Sequence, residues 1–220
     1  MISDADLATM IFLRLSYYQA ISYANILAES SIRYPVAEYL ERRLSYKKVI
    51  LEYPNPVFQR KRCDLYVEKK YNTGKLEQIA FEFKYVWDNT SYLFQDYFDD
   101  ILRLHYLHNE GMRAFFIVCG NPINFNNQFR SVKKQKVLTG SRNRRPSGIF
   151  SRVLSFSIDP LKIHKTLNTD KYKDYYKEFI NHYEFKDTTV SHPHNLTFQT
   201  KLIKLIHGDD PHSVGIWEVL

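Results

Sequence analysis

Asp64, Glu82 and Lys84 are the residues of this chain whose types and spacing can do chemistry. They lie in two apolar runs, Arg62-Cys63-Asp64-Leu65-Tyr66-Val67 and Ile79-Ala80-Phe81-Glu82-Phe83-Lys84-Tyr85-Val86-Trp87. Both runs read as strands, whose side chains alternate between faces with period two. The alternation predicts Ile79, Phe81, Phe83, Tyr85 and Trp87 on one face of the second strand, with Ala80, Glu82, Lys84 and Val86 on the other. In the first strand it predicts Cys63, Leu65 and Val67 pointing one way and Asp64 the other. Two carboxylates and an ammonium can thus converge on one sheet surface, Glu82 and Lys84 standing about 7 Å apart along their strand. Charges on an apolar surface are costly unless they pair or bind a metal ion.

The elements that must position these residues follow from the surrounding pattern. Ser3-x-x-Asp6 is a helix cap, and apolar residues at mostly helical spacing from Leu7 to Ile26 predict a first helix over 3–28. Pro35 marks the start of a second helix, with Val36, Tyr39, Leu40 and Leu44 as its apolar stripe. Lys48 to Tyr53 reads as a strand ending at Pro54-Asn55-Pro56. Asn72-Thr73-Gly74-Lys75 is a turn signal, so the Asp64 and Glu82 strands are expected to form an antiparallel hairpin. Tyr92 to His108 reads as a helix and Arg113 to Cys119 as a central strand. The order helix, strand, strand, strand, helix, strand predicts an α/β fold with a mixed central sheet flanked by helices. Beyond it, Val153–Ile158 is expected as a strand, 169–186 as a helix, Phe198–Ile206 as a short amphipathic helix and Gly215–Leu220 as a terminal strand.

The chain has 220 residues, which favours one domain over 1–220. Its formal charge of +7 favours anionic partners such as nucleic acid. That charge is concentrated. Residues 121–150 hold Arg130, Lys133, Lys134, Lys136, Arg142, Arg144 and Arg145 and no acid, so the remainder sums to zero. Cys63 and Cys119 both sit in apolar stretches and read as core thiols of a reducing compartment. The N-terminus has Asp4 and Asp6 and no basic leader, and no apolar run reaches the ~18 residues of a membrane helix. A cytoplasmic protein with no membrane association is the expectation.

Asp64, the Glu82-x-Lys84 triplet and the element order resemble the PD-(D/E)xK nuclease superfamily, the restriction-endonuclease-like fold. The resemblance covers residues 35–119, a core of about 32–120, and implies an αβββαβ core carrying helical and basic C-terminal additions. It also implies a metal-dependent nuclease, with Glu38 on the first core helix as a further carboxylate and Glu41 one turn on. Cys63 stands where the superfamily motif has Pro.

In that reading Asp64 and Glu82 hold Mg²⁺, for which Mn²⁺ can substitute, and the Phe83 carbonyl adds a ligand. A bound Mg²⁺ activates water and neutralises charge developing on phosphorus. Lys84 orients or deprotonates the water, or stabilises the phosphate. Arg130, Lys133, Lys134, Arg142, Arg144 and Arg145 would track a phosphate backbone, with DNA the expected partner. Phe125, Phe129 and Asn126 would stack on or touch bases. Restriction, repair and defence against mobile elements are the settings the resemblance suggests.

Each assignment has a plainer counterpart. The three strand residues can form a structural cross-strand ion pair, and the basic segment can be a solvated loop. The alternative function is a catalytically inactive relative that binds nucleic acid or protein within a larger complex. A homodimer through the first helix is a further possibility, since it would supply two sites for two strands.

Overall fold

The computed structural model describes residues 4–21, 27–43, 48–86, 94–129, 161, 164–187, 195–207 and 212–220. Two helices come first, α1 (Asp4–Ala20) and α2 (Ser30–Arg43), then strands β1 (Lys48–Pro54), β2 (Arg62–Lys70) and β3 (Leu76–Val86). Next are α3 (Phe94–Asn109), β4 (Arg113–Gly120) and α4 (Pro122–Phe129). The chain then adds β5 (His164–Asn168), a 3₁₀ turn at Thr169–Tyr172, α5 (Lys173–His182), β6 (Thr197–Ile206) and β7 (Ser213–Val219). The predicted order helix, strand, strand, strand, helix, strand is the order from α2 to β4.

The seven strands form one mixed sheet in the order β1-β2-β3-β4-β7-β6-β5. Only β3 and β4 run parallel, joined by the α3 crossover. β4 is the central strand, and it is buried on both faces. Ala114, Phe116 and Val118 face the layer containing α3 and α5, while Phe115, Ile117 and Cys119 face α1 and α2. That two-sided burial explains its unbroken apolar run. Among the described residues no helix is long and apolar enough to cross a membrane.

The β2–β3 hairpin forms as expected, antiparallel, with Gly74 at φ 82° supplying the turn. β3 alternates as predicted through Val86, while Trp87 lies outside the described residues. Ile79, Phe81, Phe83 and Tyr85 enter the α1/α2 layer, whereas Ala80 and Val86 enter the α3 layer. β2 does not alternate throughout. Leu65 and Val67 lie in the α1/α2 layer, but Cys63 lies with Tyr66 in the other. Its partner β1 changes sides at the same level, where Glu52 has a left-handed backbone (φ 52°) opposite Asp64. A twist at this rung re-aims both side chains, so Cys63 and Leu65 do not share a face.

Several boundaries and one element differ from expectation. α1 ends at Ala20, short of residue 28. α2 begins at Ser30, where the Ala28 amide donates to the Ser31 hydroxyl (3.2 Å) and the Ser31 amide to the Ala28 carbonyl (3.0 Å). Pro35 is therefore inside the helix, at the loss of one helical hydrogen bond. Thr197–Ile206 is not a helix but strand β6, held between β5 and β7. Phe198, Thr200 and Leu202 are its buried residues, a period of two in which Thr200 occupies a core position. Among the described residues the C-terminal addition thus supplies three strands of the sheet beside α4 and α5. The strand expected at Val153–Ile158 lies outside the described residues.

Candidate active site

β2 and β3 bring Asp64 and Glu82 to the same end of the hairpin. Asp64 Oδ2 accepts from the Phe83 amide (2.8 Å), so the side chain of one strand binds the backbone of the next between the two motif residues. Asp64 Oδ1 accepts from Arg33 Nη1 (2.9 Å), and the same guanidinium binds Glu52. Arg33 reaches the site because Ile32, Val36 and Leu40 seat α2 on the sheet.

Glu82 faces α3, within electrostatic reach of Asp64, and is 2% exposed. Its Oε1 accepts from Arg103 Nη2 (3.0 Å), which also binds Asp100 Oδ1 (2.5 Å). Lys84 Nζ meets Asp100 Oδ2 (2.7 Å) and Glu29 Oε1 (3.5 Å). Asp100 and Arg103 lie three apart on α3, whose apolar residues Phe98, Ile101, Leu102 and Leu104 fix the helix against the sheet. Two chains of charge result. Glu52–Arg33–Asp64 holds two carboxylates to one cation, and Glu82–Arg103–Asp100–Lys84–Glu29 holds three to two. Each chain carries one formal negative charge in excess.

Protonation follows from this arrangement. Burial pushes the Glu82 carboxyl well above the usual carboxylate range, with Arg103 opposing the shift and Asp100 and Asp64 adding to it. Burial alone would lower the Lys84 ammonium, but Asp100 and Glu29 outweigh it and hold Lys84 protonated above its ordinary value. A firmly protonated lysine donates hydrogen bonds and positive charge; it does not act as a base. Arg103 is likewise held charged by Glu82 and Asp100 against the cost of its burial.

The structure brings Asp64, Glu82 and Lys84 together and leaves Glu38 out. Glu38 is 54% exposed, pairs with Arg42 (3.1 Å) and lines a groove between α1 and α2. Glu41 is exposed as well. Glu29, just ahead of α2, is the carboxylate that reaches Lys84. The Phe83 side chain is buried in the α1/α2 layer, and its amide is committed to Asp64. Phe125 is 1% exposed and stacks near His207, so it is a core residue and not a base-stacking one. Arg130, Lys133, Lys134, Arg142, Arg144 and Arg145 lie outside the described residues.

The donor set suits a hard divalent cation in kind and charge: oxygen ligands and an excess of negative charge in a buried setting. Its present geometry is closed by arginines, and among the described residues no group of three His, Cys, Asp or Glu side chains is arranged as a metal cage. Asp64 and Glu82 are the carboxylates that would hold an ion, each by turning one oxygen from its arginine. Sequence reasoning missed Glu29, Arg33, Asp100 and Arg103. The i, i+3 acid–base pair inside an apolar helix was the available signal for the last two. No protein-family model, curated protein or solved structure matches the chain.

Proposed function

We propose that the chain is a Mg²⁺-dependent nuclease that hydrolyses phosphodiester bonds, with DNA as its substrate. The observation that supports the reading is that Asp64 binds the amide of Phe83, between Glu82 and the protonated Lys84 on β3, with more carboxylates than cations in the surrounding charge chains. The resemblance of Asp64 and Glu82-x-Lys84 to the PD-(D/E)xK pattern supports it, as does the net charge of +7. Mg²⁺, when bound, supplies an activated water and charge neutralisation at phosphorus. Asp64 and Glu82 hold the ion. Lys84, kept protonated by Asp100 and Glu29, donates to the scissile phosphate or orients the attacking water. Arg33 and Arg103 hold the carboxylates in register and limit their mutual repulsion. The basic stretch from Arg130 to Arg145 tracks the nucleic-acid backbone.

A second reading, a non-catalytic relative that binds nucleic acid or protein, is favoured by one specific feature. Both candidate ligands are already neutralised by arginine, Asp64 by Arg33 and Glu82 by Arg103. Calorimetric titration with Mg²⁺ and Mn²⁺ separates the two. The nuclease reading predicts saturable binding that Asp64→Asn weakens by tenfold or more, about 1.4 kcal/mol. Absence of binding to the wild-type protein, with bound DNA present, supports the second reading and overturns the first.

A further inference from the structure

α1 buries one apolar face on the sheet and carries large apolar side chains among the charged and polar residues of its outer face. Leu7, Ala8, Ile11 and Leu15 face inward and are buried on the sheet. The outer face is mixed: Asp6, Thr9, Arg14 and Gln19 are exposed there beside large apolar side chains. Leu13 is 60% exposed, Tyr17 53% and Tyr34 of α2 60%, with Ile21 at the end of α1 close behind. α1 and α2 leave between them a groove of about 720 Å³ whose walls include Met10, Leu13, Tyr17 and Tyr39. Tyr34 lines an adjoining groove that shares Arg14, Pro35 and Glu38 with it, so three of the nine large apolar side chains exposed among the described residues lie on one surface. A clustered apolar surface of this kind marks an interface, whereas scattered exposed residues do not.

The charges on that face say what covers it. Asp6, Arg14, Glu38 and Arg42 also line the groove; Glu38 and Arg42 pair with each other, Arg14 lies over the Tyr18 ring (4.7 Å), and Met10 lies midway between Asp6 and Arg14 in sequence. On a helix Asp6, Met10 and Arg14 fall on one side, each step of four advancing about 6 Å along the axis. When two such helices cross antiparallel at Met10, each Asp6 meets the other helix's Arg14, and Leu13 and Tyr17 fill the space around the crossing. The surface is complementary to itself, as a two-fold interface requires. We propose that the outer face of α1 and α2 seats a second copy of this chain, in a dimer whose α1 helices cross antiparallel at Met10 with reciprocal Asp6–Arg14 pairs. The inference goes beyond the catalytic reading and does not rest on it.

Light scattering or sedimentation of the full chain at micromolar concentration tests the proposal, since its readout is mass and not cleavage. Wild type is expected at twice the chain mass. Asp6→Arg alone and Arg14→Asp alone each place like charges together twice, and each lowers dimer affinity by about a hundredfold or more. An equimolar mixture of the two variants restores the dimer, because every contact is then opposite in sign. Leu13→Glu abolishes association by charging the apolar centre. All three positions are exposed, and unchanged circular dichroism checks that the variants fold. A wild-type monomer at every concentration overturns the proposal. So does a dimer that all three variants leave intact, or a variant mixture that stays monomeric.

Discussion

Replacing Arg103 by Met asks how much the buried charge network depends on one guanidinium. The Arg103 side chain is 13% exposed and its Nη2 serves Glu82 (3.0 Å) and Asp100 (2.5 Å) together. Met preserves the helix and most of the volume, so packing changes little. Asp100 keeps Lys84 at 2.7 Å. Glu82, 2% exposed, loses its direct cation. Removing one partner of a buried pair costs about 3–5 kcal/mol, because the other charge stays behind uncompensated. For a chain of this size each kcal/mol is worth about 2–4 °C in melting temperature, so the expected drop is about 6–20 °C. Thermal and urea denaturation followed by circular dichroism would read it. Adding Glu82→Gln to Arg103→Met removes the stranded charge and restores at least about half of the loss. A loss below about 1 kcal/mol, the level of an exposed ion pair, with no gain in the double variant, would refute the argument that Arg103 neutralises Glu82.

Other consequences are independent of that pair. His105 is 7% exposed, stacks on Phe198 at 4.8 Å between ring centres, and is pushed down to about 4, chiefly by burial and further by His108. Its folded pKa lies below its unfolded value, so the unfolded chain takes up the proton first. Stability should therefore fall as pH drops from about 6.5 towards 4, by up to about 3 kcal/mol, and level off below that. Urea midpoints at several pH values would show it, and His105→Leu should flatten the slope; an unchanged slope would assign the effect elsewhere. At Gly120 a Cβ would stand 2.1 Å from the Val86 carbonyl oxygen, at the last paired rung of β3 and β4. Gly120→Ala is expected to part the ends of these strands at a cost of about 1–3 kcal/mol, measurable as a lower melting temperature. Binding to DNA should weaken steeply with salt, by about a thousandfold or more between 50 and 200 mM if six or more phosphates are contacted; a flat profile measured by fluorescence anisotropy would count against a backbone-tracking role for the basic stretch.

What was legible in the chain was what short-range periodicity encodes. The Glu82/Lys84 face of β3, the doubly buried β4 and the Asn72–Gly74 turn were all readable because strand alternation and turn chemistry are local. Glu29, Arg33, Asp100 and Arg103 were not, because their partners lie far along the chain and only the sheet brings them together. Glu38 looked suitable by its place on the helix, but α2 starts at Ser30 and not at Pro35, and Glu38 ends up on the face towards α1. Asp64 was identified while the face of Cys63 was misassigned, since the twist at Glu52 overrides alternation. The four-residue spacing of Phe198, Leu202 and Ile206 fits a helix as well as a strand. The true period of β6 appears only when Thr200 is counted as a core residue. β5 buries only Leu167 at a sheet edge, which leaves no pattern to detect.

The most direct measurement of the central claim is cleavage of plasmid and single-stranded DNA by wild type and by Glu82→Ala/Lys84→Ala, with Mg²⁺, with Mn²⁺ and with chelator. The double variant removes one charge of each sign and leaves Arg103 paired with Asp100 at 2.5 Å, so it should fold. The account predicts cutting by wild type that the metal sustains, the chelator stops and the variant lacks. Cutting that survives in the chelator or in the folded variant would contradict it, as would a wild-type protein that neither cuts DNA nor binds either ion.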